Sequence, residues 1–210
     1  MRVKLNKVGK RFNKEWILKN LSLDIPSLSS LSITGANGSG KSTLIKLISA
    51  YMEPTLGEIQ YFENEKDYSI ENIPQTIGLA APYVNLIEEF SLKEHLEFHF
   101  KFRSTTFSVE EIISKANLKF SIHKKIKDFS SGMKQRLKLA LAIYSDNKLI
   151  ILDEPTSNLD QEGIEWYRDE IQQRLGTCTL IVASNQLHEY DFISKNIDLN
   201  NKNTIRMKSL

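Results

Sequence analysis

Apolar and polar residues alternate with a period of two through Arg2 to Val8 and again through Ile17 to Ile25, the pattern of strands that bury one face. Gly57 to Phe62, led in by Pro54 and Gly57, reads as a hairpin strand, so these segments predict a small antiparallel layer. Leu31 to Thr34, Lys148 to Leu152 and Thr179 to Ala183 are instead short apolar runs bounded by turn residues. Runs of that kind suit strands buried on both faces of a parallel sheet, with helices between them. From Ser91 to Leu118 the spacing becomes helical: Leu92, Leu96, His99 and Phe100 share one face, and Val109, Ile112, Ile113 and Ala116 share another. Ser91 with Glu94, and Ser108 with Glu111, match the Ser-x-x-Glu box that opens a helix, which makes this stretch an all-helical insert. No internal repeat or low-complexity tract interrupts the pattern, and the polar run Asn200 to Leu210 is expected to fray.

The pattern predicts an α/β fold with a mostly parallel sheet, a small antiparallel β subdomain and an inserted α-helical subdomain. One domain over 1–210 is expected, with 1–80 as core plus antiparallel layer, 81–130 as the helical subdomain, and 131–210 returning to the core. Bulk composition changes little in this picture. Of 210 residues, 40% are apolar and 26% charged, and 28 basic against 26 acidic side chains leave a net charge of +2, so no global field points to nucleic acid or a membrane surface. The single cysteine, Cys178, cannot form an internal disulfide and reads as a buried strand thiol in a reducing compartment. The amino terminus alternates like a strand rather than presenting the block of a signal peptide, and no window approaches the roughly 18 apolar residues of a membrane span.

Chemistry enters at Gly35-Ala36-Asn37-Gly38-Ser39-Gly40-Lys41-Ser42-Thr43, which matches G-x-x-x-x-G-K-[ST] between an apolar strand and an apolar helix, Leu44 to Ser49. Glycines there let several N–H groups converge on one anion, Lys41 adds a mobile charge for the β- and γ-phosphates, and the Ser42 hydroxyl is a Mg²⁺ ligand. The helix opening behind them supplies the positive end of its dipole. Leu149 to Glu154 is a second half of the site: an apolar strand ending in adjacent carboxylates at the carboxyl edge of the sheet. Adjacent residues of a strand point in different directions, so Asp153 is free to hold Mg²⁺ while Glu154 polarises a water against the γ-phosphate.

Phe129-Ser130-Ser131-Gly132-Met133-Lys134-Gln135-Arg136, just before the helix Leu137 to Tyr144, resembles the signature of the ATP-binding cassette (ABC) ATPases. It keeps Ser130, Gly132, Gln135 and Arg136 of that motif and substitutes Phe129, Ser131 and Met133. Asp153-Glu154-Pro155-Thr156-Ser157-Asn158-Leu159-Asp160 is similar to the family's acidic strand and the loop that follows it. The resemblance covers nearly the whole chain and implies a P-loop NTPase core that binds ATP with Mg²⁺. It further implies a serine hydroxyl and glycine amides, Ser130 and Gly132, facing the γ-phosphate held by a second cassette, and Asp160 on a loop crossing that dimer interface. An aromatic at Phe12 would stack on adenine, although a lone aromatic there also reads as core and Trp16 competes for the role.

The chain departs from the family at two places. Where the family has Thr-His-Asp with a phosphate-contacting histidine, this sequence has Ser184-Asn185-Gln186. Asn185 is carried over to the catalytic position, yet its amide carries neither a proton nor a positive charge. His188, three residues on in the expected next helix, is the weaker substitute. The glutamine that follows the strand resembling Ile77 to Ala80 is missing, with Ala81-Pro82-Tyr83 in its place, so its coordination is expected to pass to solvent.

His95 and His99, four apart, match a metal clamp on one helix face, but nothing near in sequence completes the set, and Phe98, Phe100 and Phe102 suggest packing or docking instead. His123 to Lys127 reads as a solvated face that a transporter could turn to a partner subunit or lipid headgroups. The resemblance implies a small exporter-type cassette, ATP-binding and ATP-hydrolysing but slow. It would pair with a second copy or a paralogous cassette and drive separate transmembrane permease subunits from the cytoplasmic face, with no nucleic acid partner. The alternatives are a soluble ABC-type ATPase or a slow-turnover nucleotide sensor. The former fits less well, because sustained heptads are lacking and only one phosphate loop occurs.

Overall fold

The computed structural model describes residues 1–200 and the backbone of 208–209, so the fraying expected beyond Asn200 lies outside the described residues. Strand β1 (Arg2–Phe12) pairs antiparallel with β2 (Glu15–Ile25), and β3 (Ser30–Thr34) follows, leading to helix α1 (Lys41–Ile48). Next come β4 (Leu56–Glu63) and β5 (Lys66–Tyr68), which complete a four-stranded antiparallel sheet of order β2-β1-β4-β5. The alternation of β1 slips where its register shifts, between Leu5 and Val8 and between Val8 and Lys10, and Lys7 adopts a φ of +48°. A bulge of this sort hides the rest of the strand, which runs on to Phe12, from a period-two reading.

A single turn, α2 (Ile73–Thr76), enters β6 (Ile77–Ala80). The helical insert then supplies α3 (Leu92–His99) and α4 (Val109–Lys115), each opened by a complete capping box: the Ser91 and Ser108 hydroxyls accept from the Glu94 and Glu111 amides, and both glutamates accept from the serine N–H. Helix α5 (Ser131–Tyr144) starts before Leu137 because the Ser130 side chain caps it, accepting from Met133 N at 3.2 Å. Strand β7 (Leu149–Asp153), α6 (Gln161–Gln172), β8 (Thr179–Ala183), β9 (Lys195–Asp198) and the short β10 (Lys208–Ser209) close the chain.

The second sheet has the order β10-β9-β3-β8-β7-β6 and is parallel from β9 to β6. Its central strands are buried on both faces. Ile150, Leu152, Leu180 and Val182 join a core with α3, α4, α5 and α6, whereas Leu149, Ile151, Ile181 and Ala183 join another with α1 and the antiparallel layer. Burial of successive residues on opposite faces is what uninterrupted apolar runs require. Cys178, one residue before β8, is buried, and burial raises its thiol pKa. Among the described residues, no helix is long and apolar enough to cross a membrane.

Parallel register brings four chain segments to one sheet edge. Ile33 pairs with Ala183, Asp153 with Ala183, and Ala80 with Leu152, so the residues after β3, β8, β7 and β6 emerge side by side.

Candidate functional site

The loop from Gly35 to Gly40 joins β3 to α1 with φ values of +146°, +82° and +104° at Gly35, Gly38 and Gly40. A Cβ on Gly35 would meet Ser39 Oγ at 2.6 Å, whereas none of the surrounding atoms comes within 4 Å of one on Gly38. Backbone conformation and the approach of a ligand, rather than packing, therefore favour glycine at 38. Helix α1 has no side-chain cap and no acid in its first turn, which leaves its leading N–H groups and the positive end of its dipole to an anion. Lys41 is only 6% exposed, and its ammonium folds back to donate to Gly35 O at 2.6 Å and Ala36 O at 3.4 Å.

Across the edge, Asp153 is 1% exposed and neither carboxylate oxygen has a hydrogen-bond partner among the described residues. Burial pushes its pKa up, partly offset by the adjacent Ser42 hydroxyl; Glu154 pushes the same way as burial, and Lys41 and Lys46 oppose it. Two bare oxygens beside a hydroxyl form a hard donor set suited to a small divalent cation. Glu154 adopts a left-handed φ of +49°, uncommon for a residue with a side chain, and its N–H donates to Ala183 O at 2.9 Å. Such backbone settings cluster where a side chain must be aimed. A cavity of about 390 Å³ joins Phe12 and Ile17 to Asn37, Gly38, Gly40, Lys41, Ser42, Thr43 and Glu154. Phe12 is 44% exposed at its rim, with Lys10 Nζ 5.4 Å from the ring centroid, while Trp16 lies outside the lining and packs beneath Arg11.

Asn185 reaches the phosphate loop from β8. Its Oδ1 accepts from Gly35 N at 3.3 Å and its Nδ2 donates to Asn37 Oδ1 at 3.2 Å, while Asn200 Oδ1 accepts from Ala36 N at 2.7 Å. His188 lies in a single turn of 3₁₀ helix, Leu187–Glu189, with Nε2 3.0 Å from Thr156 Oγ1. It therefore faces the segment after β7 and not the phosphate loop. Beside it, the buried Glu189 accepts from both the N–H and the hydroxyl of Thr156, a tie between the segments after β7 and β8 that the sequence did not suggest.

Ser130, Gly132 and Asp160 lie outside the cavity. Ser130 caps α5, and a Cβ on Gly132 would approach Asn158 O to 2.9 Å, so the start of α5 packs on the loop after β7. Asp160 caps α6 by accepting from Gly163 N at 2.8 Å, and Arg136 pairs with it at 3.3 Å. Within one chain these groups are not brought to the residues around Lys41.

A larger cleft of about 440 Å³ lies between α3 and β6, away from the phosphate loop, and is lined in part by His95, His99 and Arg103. His99 Nε2 is 3.1 Å from Ser145 Oγ, and among the described residues no group of three His, Cys, Asp or Glu side chains could hold a metal. Burial, with Arg103 and His95 nearby, holds the His99 pKa down to about 4. An unfolded chain takes up this proton near pH 6.5, so stability should fall as pH drops from there toward 4. Allowing for partial solvent screening, we expect about 1 kcal/mol lost by pH 5, or roughly 2–4 °C in Tm. His99→Gln should flatten the Tm profile over that range; an unchanged slope would refute the assignment.

The model of the ABC transporter family matches residues 18–157. An uncharacterized ABC transporter ATP-binding protein, YcbN of Bacillus subtilis (strain 168), is 31% identical over 93% of this chain and 65% of its own length. The lantibiotic transport ATP-binding protein SrtF of Streptococcus pyogenes is 32% identical over 91% of this chain and 83% of its own. The chain thus spans about two thirds of YcbN and of a second B. subtilis relative, YdbJ, of which it covers 66%. Among solved structures, a dimeric ATP-binding cassette in a post-hydrolysis state bound to ADP and Pi superposes with a TM-score of 0.85 at 25% identity, covering 99% of this chain and 98% of that one.

Proposed function

Because the chain belongs to the ABC transporter ATP-binding family, we propose that it binds and hydrolyses ATP as the nucleotide-binding subunit of a transporter. One observation carries this reading: the lysine and open amides of the phosphate loop share a cavity with the conformationally constrained Glu154, whose neighbour Asp153 is buried with no hydrogen-bond partner among the described residues.

The first-turn amides of α1 and the Lys41 ammonium take the β- and γ-phosphates, exchanging the loop carbonyls that now hold Lys41 for phosphate oxygens. Ser42 and Asp153 would hold Mg²⁺, which would supply positive charge against the triphosphate. Glu154 accepts the proton of the attacking water. Asn185, bound to Gly35 and Asn37, steadies the loop but supplies no charge to the departing phosphate, which favours slow turnover. The same feature supports a slow nucleotide sensor as the second reading.

A second cassette, identical or paralogous, completes the site by presenting its Ser130 and Gly132 at the start of α5, with the Asp160 loop between the two. Separate transmembrane permease subunits, engaged from the cytoplasmic face, are the partners such an ATP-binding subunit would drive. Nucleotide binding closes the pair and hydrolysis reopens it, a switch driven by differential affinity.

Steady-state phosphate release from Mg-ATP tests this reading, and no release above background would overturn it. Phe12→Ala should raise KM about tenfold with kcat unchanged, since stacking an aromatic on a base contributes about 1–3 kcal/mol. Trp16→Ala should leave KM within error, and the reverse result would reassign the adenine platform.

A further inference from the structure

Strand β6 ends beside β7, with Ala80 opposite Leu152, so Ala81 to Tyr83 leaves the sheet where Asp153 and Glu154 stand. Tyr83 lies over Lys46, whose Nζ is 4.2 Å from the ring centroid, and its ring is tilted against Tyr51 at 5.7 Å. Lys46 follows Ser42 by one helical turn on α1, so the phenol sits on the same side of that helix as the Ser42 hydroxyl. Tyr83 Oη is itself buried and has no hydrogen-bond partner among the described residues. A phenol hydroxyl is a hydrogen-bond donor.

The neighbouring ends of β6 and β7 thus each carry an unmet demand. Asp153 offers two acceptor oxygens without donors, and Tyr83 offers a donor without an acceptor, yet the two are not bonded to each other. Buried polar groups left in this state cost stability unless something polar comes between them. Direct ligation by a neutral phenol is a poor match for magnesium, which keeps several waters when bound by one or two protein oxygens. A water on that ion, by contrast, needs an acceptor or donor beyond the first coordination sphere.

We propose that Tyr83 is a positioning residue for the magnesium site, its hydroxyl bonded to a water on the ion that Ser42 and Asp153 would hold. The position whose coordination was expected to pass to solvent is then filled by a protein group of different chemistry. The proposal rests on the Mg-ATP reading above. It also ties the site physically to the start of the helical insert, because Tyr83 belongs to the segment that leads from β6 toward α3.

The test titrates magnesium against the full chain at a fixed concentration of a fluorescent, non-hydrolysable ATP analogue. Tyr83→Phe should raise the half-saturating magnesium concentration about tenfold, leave analogue affinity in EDTA unchanged, and lower kcat about tenfold at constant KM. Tyr83→Gln should recover most of both losses. Tyr83→Phe should melt no lower than the parent, since it removes a hydroxyl that has no partner. Magnesium half-saturation and kcat within about twofold of the parent in both variants would overturn the assignment to Tyr83 alone. Failure of the unsubstituted chain to bind the analogue would overturn the ATP reading, and this inference with it.

Discussion

Glu154→Gln is expected to stop phosphate release while sparing nucleotide binding, and to convert the protein to a stable dimer on Mg-ATP. The amide keeps the shape of the carboxylate but cannot take the proton of an attacking water. General-base contributions of about 10²–10⁴ set the scale of the loss. The fold should not notice. The bond that holds this residue in place is its backbone N–H to Ala183 O, and its side chain is exposed at the cavity rim. With the γ-phosphate uncleaved, the contacts proposed for it with Ser130 and Gly132 of the second cassette should persist. Gel filtration with light scattering reads the outcome; a variant that binds Mg-ATP yet elutes as a monomer would contradict the shared-site geometry.

Lys41→Ala should act one step earlier and lower ATP affinity by about 100-fold or more. The ammonium makes charge-assisted bonds of about 1.5–3 kcal/mol each, and a tenfold loss corresponds to about 1.4 kcal/mol. Two such bonds to phosphate oxygens account for the factor. Deletion also frees the Gly35 and Ala36 carbonyls that Lys41 now holds, so the melting temperature should be checked beside the affinity. Together the two variants separate binding from chemistry: one loses the anion, the other keeps it and cannot cleave it.

The central strands were legible because full burial on both faces leaves an uninterrupted apolar run, as at Leu149 to Leu152 and Thr179 to Ala183. The insert was legible from its capping boxes, whose hydrogen bonds depend on residues three apart and not on distant packing. Helix α6 escaped notice because its face is carried by Trp166, Tyr167 and Ile171 amid charged neighbours. Strand β9, Lys195–Asp198, is short and polar and pairs only through tertiary context.

At the sheet edge, the convergence of Lys41, Ser42, Asp153 and Glu154 followed from placing each at the carboxyl end of a predicted parallel strand. What no local pattern could give were links between segments remote in sequence. Asn185 with Gly35, Glu189 with Thr156, and the ring of Tyr83 against Lys46 all depend on how the segments leaving neighbouring strands pack. Of the two aromatics the sequence offered, Phe12 and Trp16, it is Phe12 that lines the cavity.

Calorimetric titration of the unsubstituted chain with ATP, with and without magnesium, tests the central claim most directly. The account predicts saturable binding at one site per chain, tighter when magnesium is present and lost in Lys41→Ala. Heats of dilution alone, under both conditions, would contradict it.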